Sequence, residues 1–160
     1  MTTHVRDIMS TKVVSVSSQM GLDALEYELN HNSISGAPVI DAGKLVGVVS
    51  QTDIINQLNI EHTYASSIYD YHEGAYTDES REDEIIQMGT FVGHRMEHLT
   101  VKDIMKSTIK SISPDASIEE AANQMIKDKI HRLLVVDGSV VGILSSTDFV
   151  KLCSEGMTAH

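Results

Sequence analysis

The sequence contains one cysteine, Cys153, so no disulfide can form within the chain. That agrees with a reducing compartment, and a cytoplasmic protein is expected. Cys153 itself, near the end of the last predicted helix, reads as a small buried hydrophobe rather than a reactive thiol. Long apolar runs are also missing, and none approaches the roughly 18 residues of a membrane span. The opening stretch MTTHVRDIMS lacks the apolar core of a signal peptide, so neither membrane insertion nor secretion is expected. Basic residues are scarce, 12 Lys and Arg against 23 Asp and Glu. The resulting net charge of −11 argues against a nucleic-acid partner, whose phosphates demand a basic stripe. Catalytic signatures are absent as well: there is no G-x-S-x-G, P-loop or G-x-G-x-x-G pattern, and the lone cysteine has no evident catalytic partner.

What is present is a globular composition, 41% hydrophobic and 22% charged over 160 residues. That length suits one domain of common size or two half-size modules. The acid is unevenly spread. Between Glu61 and Glu84, eight carboxylates (Glu61, Asp70, Glu73, Asp78, Glu79, Glu82, Asp83, Glu84) face Arg81 alone, so this segment carries −7 of the −11.

The two ends of the chain repeat each other. VRDIMSTKVVSVS from Val5 matches VKDIMKSTIKSIS from Val101 at a constant offset of 96, pairing Asp7 with Asp103, Ile8 with Ile104 and Met9 with Met105. DAGK from Asp41 is one residue longer than DGS from Asp137, and beyond it the offset is 95, pairing Gly47, Ser50, Thr52 and Asp53 with Gly142, Ser145, Thr147 and Asp148. An insertion confined to a turn is readily tolerated, so the pattern is that of a duplication.

Each copy reads as a short helix, a strand, a helix, two strands and a helix. In the second copy Ser117 and Glu120 form a capping box ahead of Ile118, Ala121, Ala122, Met125 and Ile126, which recur at helical spacing and are expected in the core. Leu22, Leu25 and Leu29 hold the matching face in the first copy. APVID and LVGVVS, joined by a Gly-containing turn, predict a hairpin, and helices are expected to begin near Thr52 and Thr147. Between the copies, YASSIYDYHEGAYTDES (residues 64–80) is rich in tyrosine and acid and predicts a mobile loop, whereas REDEIIQMGTFVGHRMEH (81–98) is compatible with helix.

Through GVVSQTD, GILSSTD, RDIM, KDIM and IHRLLVVD the sequence resembles the cystathionine β-synthase (CBS) domain family, two of whose domains in tandem form a Bateman module. The resemblance implies an α+β (α/β) fold of two β-α-β-β-α repeats packed as a pseudo-twofold disc, with repeat one at residues 4–60, an acidic insert at 61–97 and repeat two at 98–154. It further implies clefts for adenosine-containing ligands (AMP, ADP, ATP or S-adenosylmethionine), with no other cofactor required. Homodimerisation and control of a regulated protein partner are implied too.

The same resemblance distributes roles over the residues. Asp53 and Asp148 occupy the position of the motif aspartate that accepts hydrogen bonds from both ribose hydroxyls. Ser50 and Ser145 precede them by three residues, and Thr52 and Thr147 lie at the helix starts. Each Asp-Thr corner is equally able to serve only as a helix cap. Ser35, Gly36, Ala37 and Pro38 match the stretch on which adenine lies, where small residues leave room for a flat ring. In the second copy that stretch is His131, Arg132, Leu133 and Leu134. KIHRL, Lys129 to Leu133, is similar to the His-Arg segment of AMP-activated protein kinase γ-subunits. By that likeness His131 and Arg132 reach across to phosphates held in the Asp53 cleft, a task suited to the arginine fork. The reciprocal positions of the first copy bring no charge to Asp148.

Three functions compete on this reading. The first is a nucleotide-sensing regulatory module without catalysis. The second is a structural dimerisation module whose clefts bind nothing. The third is a metal-dependent hydrolase using His94 and His98, which stand four residues apart on one helical face but lack the Glu spacing of H-E-x-x-H. The first is favoured because both motif sets are intact, and no metal site is expected.

Overall fold

The computed structural model describes residues 2–70 and 78–156. The first copy comprises α1 (Val5–Ile8), α2 (Leu22–His31), β1 (Gly36–Asp41), β2 (Lys44–Ser50) and α3 (Gln51–Asp70). A connecting helix α4 (Asp78–Glu97) leads to the second copy: α5 (Val101–Ile104), β3 (Ser111–Ile112), α6 (Ile118–Asp128), β4 (Arg132–Asp137), β5 (Ser139–Ser145) and α7 (Ser146–Ser154). The architecture is the expected mixture of helix and strand in two repeats. In the second copy β3 runs parallel to β4, and β4 pairs antiparallel with β5. In the first, β1 and β2 form the same hairpin, but the strand expected before α2 is reduced to one parallel bridge between Val16 and Val39.

The hairpin turns explain the one-residue difference between the copies. Ala42 and Gly43 both have positive φ, 49° and 76°, as a two-residue turn matched to strand twist requires. The shorter turn of the second copy rests on Gly138 alone, at φ 72°. Both hairpins then bulge at equivalent places, Val39/Ile40 and Val135/Val136, so the strands beyond them return to a common register.

Leu22, Leu25 and Leu29 of α2 are buried, as are Ala121 and Met125 of α6, and the Ser117–Glu120 capping box forms, with both of its bonds at 2.9–3.1 Å. Two apolar residues expected inside are not. Ile126 is 75% exposed, because it lies at the edge of the α6 stripe and faces away from the sheet, and Cys153 is exposed on α7.

The unit of packing is not the unit of repetition. Val5, Ile8 and Met9 from the start of copy one pack into the core of copy two, with Leu133, Val135 and Leu144. Val101, Ile104 and Met105 pack reciprocally into the core of copy one, with Leu25, Val39 and Val49. Backbone bonds follow the same exchange: Val5 N–H donates to Ala116 O and Arg6 N–H to Pro114 O, while Val101 N–H donates to Met20 O and Lys102 N–H to Ser18 O, all at 2.8–3.0 Å. Met9 lies so close over Gly142 that a Cβ there would stand 2.6 Å from its sulfur, and Met105 covers Gly47 in the same way, at 2.9 Å. The D-I-M motif and the hairpin glycine are thus two halves of one contact between copies, related by a pseudo-twofold.

The central segment differs from expectation. Residues 64–70 continue α3 as helix, and α4 is helical as the 81–98 pattern allows; residues 71–77 of the expected loop lie outside the described residues. The two helices pack as an arm whose seam is small and partly polar. Ala65 and Val92 are buried, Tyr64 sits 6.2 Å from Phe91 between ring centroids, and Arg95 stacks over the Tyr64 ring at 4.8 Å. Buried Glu61 accepts hydrogen bonds from Arg95 Nε and from Gln57 Nε2. The Arg95 guanidinium holds the Glu61 carboxyl below its ordinary range despite the opposing effect of burial.

Candidate functional site

Two strands and a helix end converge at Ser50. There the backbone leaves β2 and enters α3, and the first helical N–H groups need partners. Ser50 N–H and its hydroxyl both donate to Asp53 Oδ2, at 2.8 and 3.0 Å, and Asp53 N–H donates to Ser50 Oγ at 3.3 Å. Ser145 and Asp148 repeat the first two bonds at the same distances ahead of α7. The Ser-x-Thr-Asp corner is therefore a capping device in both copies, with Asp as third helical residue, and α3 and α7 begin one residue earlier than Thr52 and Thr147. Only one oxygen of each carboxylate is used in the cap; Oδ1 is left for other partners.

Around Asp53 the fold encloses a cleft of about 680 Å³. Its walls come from both copies. Ser35, Gly36, Ala37 and Pro38 enter along β1, Ser50, Thr52 and Asp53 at the β2–α3 junction, and Lys129, His131 and Arg132 from the other copy. These ten residues, separated by up to 97 positions in the sequence, are brought together. A Cβ at Gly36 would stand 3.0 Å from Val49 O, tighter than ordinary packing, and would touch Arg132 Nη1 at 3.5 Å, so the glycine lets β1 and β2 close beside the guanidinium. His131 reaches the cleft with its ring against its own repeat, Nδ1 lying 3.4 Å from Ser146 Oγ.

Leu133 does not join them. Strand alternation turns it into the core of copy two, and Leu134 faces the cleft instead. Ser145, Thr147 and Asp148, also expected at a ligand site, do not line this cleft either. A second, smaller cavity of about 360 Å³ lies between α6 and α7, lined by Ile126, Ile130 and Phe149, and it reaches neither Asp148 nor Thr147.

Three polar lining residues were not anticipated: Lys106, Thr108 and Lys110, from the segment between α5 and β3. Lys106 Nζ lies 3.4 Å from Asp53 Oδ1, and Lys110 Nζ 3.6 Å from Asp128 Oδ2. With Lys129 and Arg132 they place four cations against the single carboxylate of Asp53, in a chain of net charge −11. The pseudo-twofold puts Ser10, Val14, Ser33 and Gly36 at the matching positions around Asp148, and none is charged. The signal for Lys106 and Lys110 was the difference between the two D-I-M segments at matched positions.

His94 and His98 on α4 approach with Nε2 atoms 3.3 Å apart. Among the described residues no group of three or more His, Cys, Asp or Glu side chains is placed to hold a metal ion. Nor is any described helix long and apolar enough to cross a membrane.

Comparison with known proteins places this arrangement. The CBS domain model matches residues 5–60 and 101–155. An uncharacterized protein of Methanocaldococcus jannaschii, MJ1426, is 28% identical over 92% of this chain and 89% of its own. The CBS domain pair of MJ0100, solved in complex with 5′-methylthioadenosine and S-adenosyl-L-methionine, superposes with a TM-score of 0.66 at 21% identity, covering 98% of this chain and 99% of that one. CBSX2, solved in complex with AMP, superposes with a TM-score of 0.67 at 24% identity, covering 95% and 97%. With two matched segments that coincide with the two halves of the internal repeat, this chain belongs to the CBS domain family as a tandem pair.

Proposed function

We propose that the chain is a non-catalytic, cytoplasmic regulatory module that binds an adenosine nucleotide in the Asp53 cleft and passes its occupancy to a partner protein. The observation that carries this is the meeting, in one cleft, of the Ser50–Asp53 corner of copy one with Lys106, Lys129 and Arg132 of copy two. A carboxylate oxygen accepts from ribose hydroxyls, small residues at Ser35–Ala37 leave room for a base, and the cations accept phosphate. The adenosyl ligands held by the MJ0100 pair and the AMP held by CBSX2 support an adenosine ligand here. The Asp148 corner, with uncharged residues at the matching positions, is the poorer site for a phosphate. Tyr27, Ile55, Ile126 and Val150 leave apolar side chains exposed on α2, α3, α6 and α7, and Ile55 and Val150 are pseudo-twofold mates. That pattern supports pairing of two copies through their helical faces.

Calorimetry with AMP and adenosine as paired titrants tests the reading. Wild type is expected to bind AMP more tightly than adenosine, and Arg132→Ala to weaken AMP by about 1.5–3 kcal/mol, the usual worth of a charge-assisted hydrogen bond, with adenosine little changed. Equal losses for the two ligands would leave Arg132 as a packing residue. Failure of every adenosyl ligand to bind or to raise the melting temperature would favour the dimerisation module instead.

A further inference from the structure

Lys106 combines a fixed backbone with a free end. Its N–H donates to Val48 O at 2.8 Å and its carbonyl accepts from Val48 N–H at 2.9 Å, which pins the residue to β2. Its side chain is 65% exposed, yet Nζ rests 3.4 Å from Oδ1 of the buried Asp53. Because Ser50 already occupies Oδ2 twice, Oδ1 is the oxygen that a ribose diol must reach, and the ammonium lies on it.

We propose that Lys106 is the specificity-determining residue of this cleft, selecting nucleoside di- and triphosphates over the uncharged nucleoside. Its ammonium covers the ribose-accepting oxygen. A nucleoside must separate that ion pair and leave the lysine with water alone, whereas a polyphosphate offers the displaced ammonium a new anionic partner within the same cleft. The flexible four-carbon stem makes this exchange possible without moving the backbone. Ser10, the pseudo-twofold mate, is pinned to Ile143 by the same pair of bonds, both 2.9 Å, and has no charge to exchange. Among the described residues Asp148 is paired within 4.0 Å with Lys151 of its own helix and with no lysine of the other copy, so the selection belongs to one cleft.

The inference rests on the adenosine-nucleotide reading above, and Lys106→Met separates the two. Calorimetry with ATP and with adenosine, on wild type and variant at fixed ionic strength, is expected to show opposite signs: ATP weakened about tenfold or more, adenosine tightened by about two- to fivefold. A shared direction for both ligands, or no change in either, overturns the selector role while leaving the nucleotide reading in place. A wild type that binds neither ligand overturns both. The melting temperature of the unliganded variant, expected within a few degrees of wild type because an exposed pair contributes little, confirms that the comparison is between folded proteins.

Discussion

Asp53 holds two offices in one side chain. Its Oδ2 closes the N-terminus of α3 through Ser50, and its Oδ1 faces the cleft. A loss of ligand binding in Asp53→Ala would therefore be ambiguous by itself, since removal of a helix cap costs about 0.5–2 kcal/mol. Asp148 supplies the control, because it makes the same two bonds to Ser145 without lining the cationic cleft. Asp53→Ala and Asp148→Ala are expected to lose similar stability in denaturant titrations. Only Asp53→Ala should also lose AMP affinity, by about 1.5–3 kcal/mol for a hydrogen bond to a charged group. If Asp148→Ala weakens AMP by the same amount, the Asp53 carboxylate acts on the ligand only through the stability of the fold.

At the scale of elements, the α3–α4 arm was the least legible part. A helix announces itself by an apolar stripe, and here the seam is carried by Ala65, Val92, an aromatic pair and a buried ion pair, while Ile55, Leu58, Ile60, Ile85 and Ile86 point outward. Acid and tyrosine, the usual marks of a loop, here belong partly to the seam itself, through Glu61 and Tyr64, while Glu82 and Asp83 lie exposed on α4. The Glu61–Arg95 pair makes the arm sensitive to acid. Glu61 has its folded value depressed by the guanidinium, so its contribution is complete above the unfolded carboxylate value, about 4.3, and is lost as pH falls through the lower folded value. Wild type is accordingly expected to melt above Glu61→Gln at neutral pH, with the gap narrowing as the pH falls below the unfolded carboxylate value of about 4.3. A gap independent of pH would mean that Glu61 acts through its shape and hydrogen bonds alone.

Across the whole molecule, likeness between the copies revealed the fold, and unlikeness made the site. The offset of 96, its step to 95 at a turn and the shared Ser-x-Thr-Asp corners were enough to read two homologous units, and ten of the lining residues followed from their motifs. Lys106 and Lys110 did not follow, because a search for matched residues passes over Lys106 against Ser10 and Lys110 against Val14, the very mismatches that charge one cleft and leave the other neutral. The exchange of α1 and α5 was also hidden, since repetition in sequence says nothing about which copy a short helix packs against. That exchange makes neither copy a complete folding unit, and it can be tested by where a cavity is felt. Val5 and Val101 are both fully buried, and truncating either to Ala is expected to cost up to roughly 1.5–3 kcal/mol, the worth of a buried valine side chain. In native-state hydrogen exchange, Val5→Ala should loosen β4 and β5, some 130 residues away in sequence, more than β1 and β2 in its own copy; Val101→Ala should do the reverse. Loosening confined to the mutated copy in both variants would mean that each repeat is stable alone and that the exchanged helices only decorate its surface.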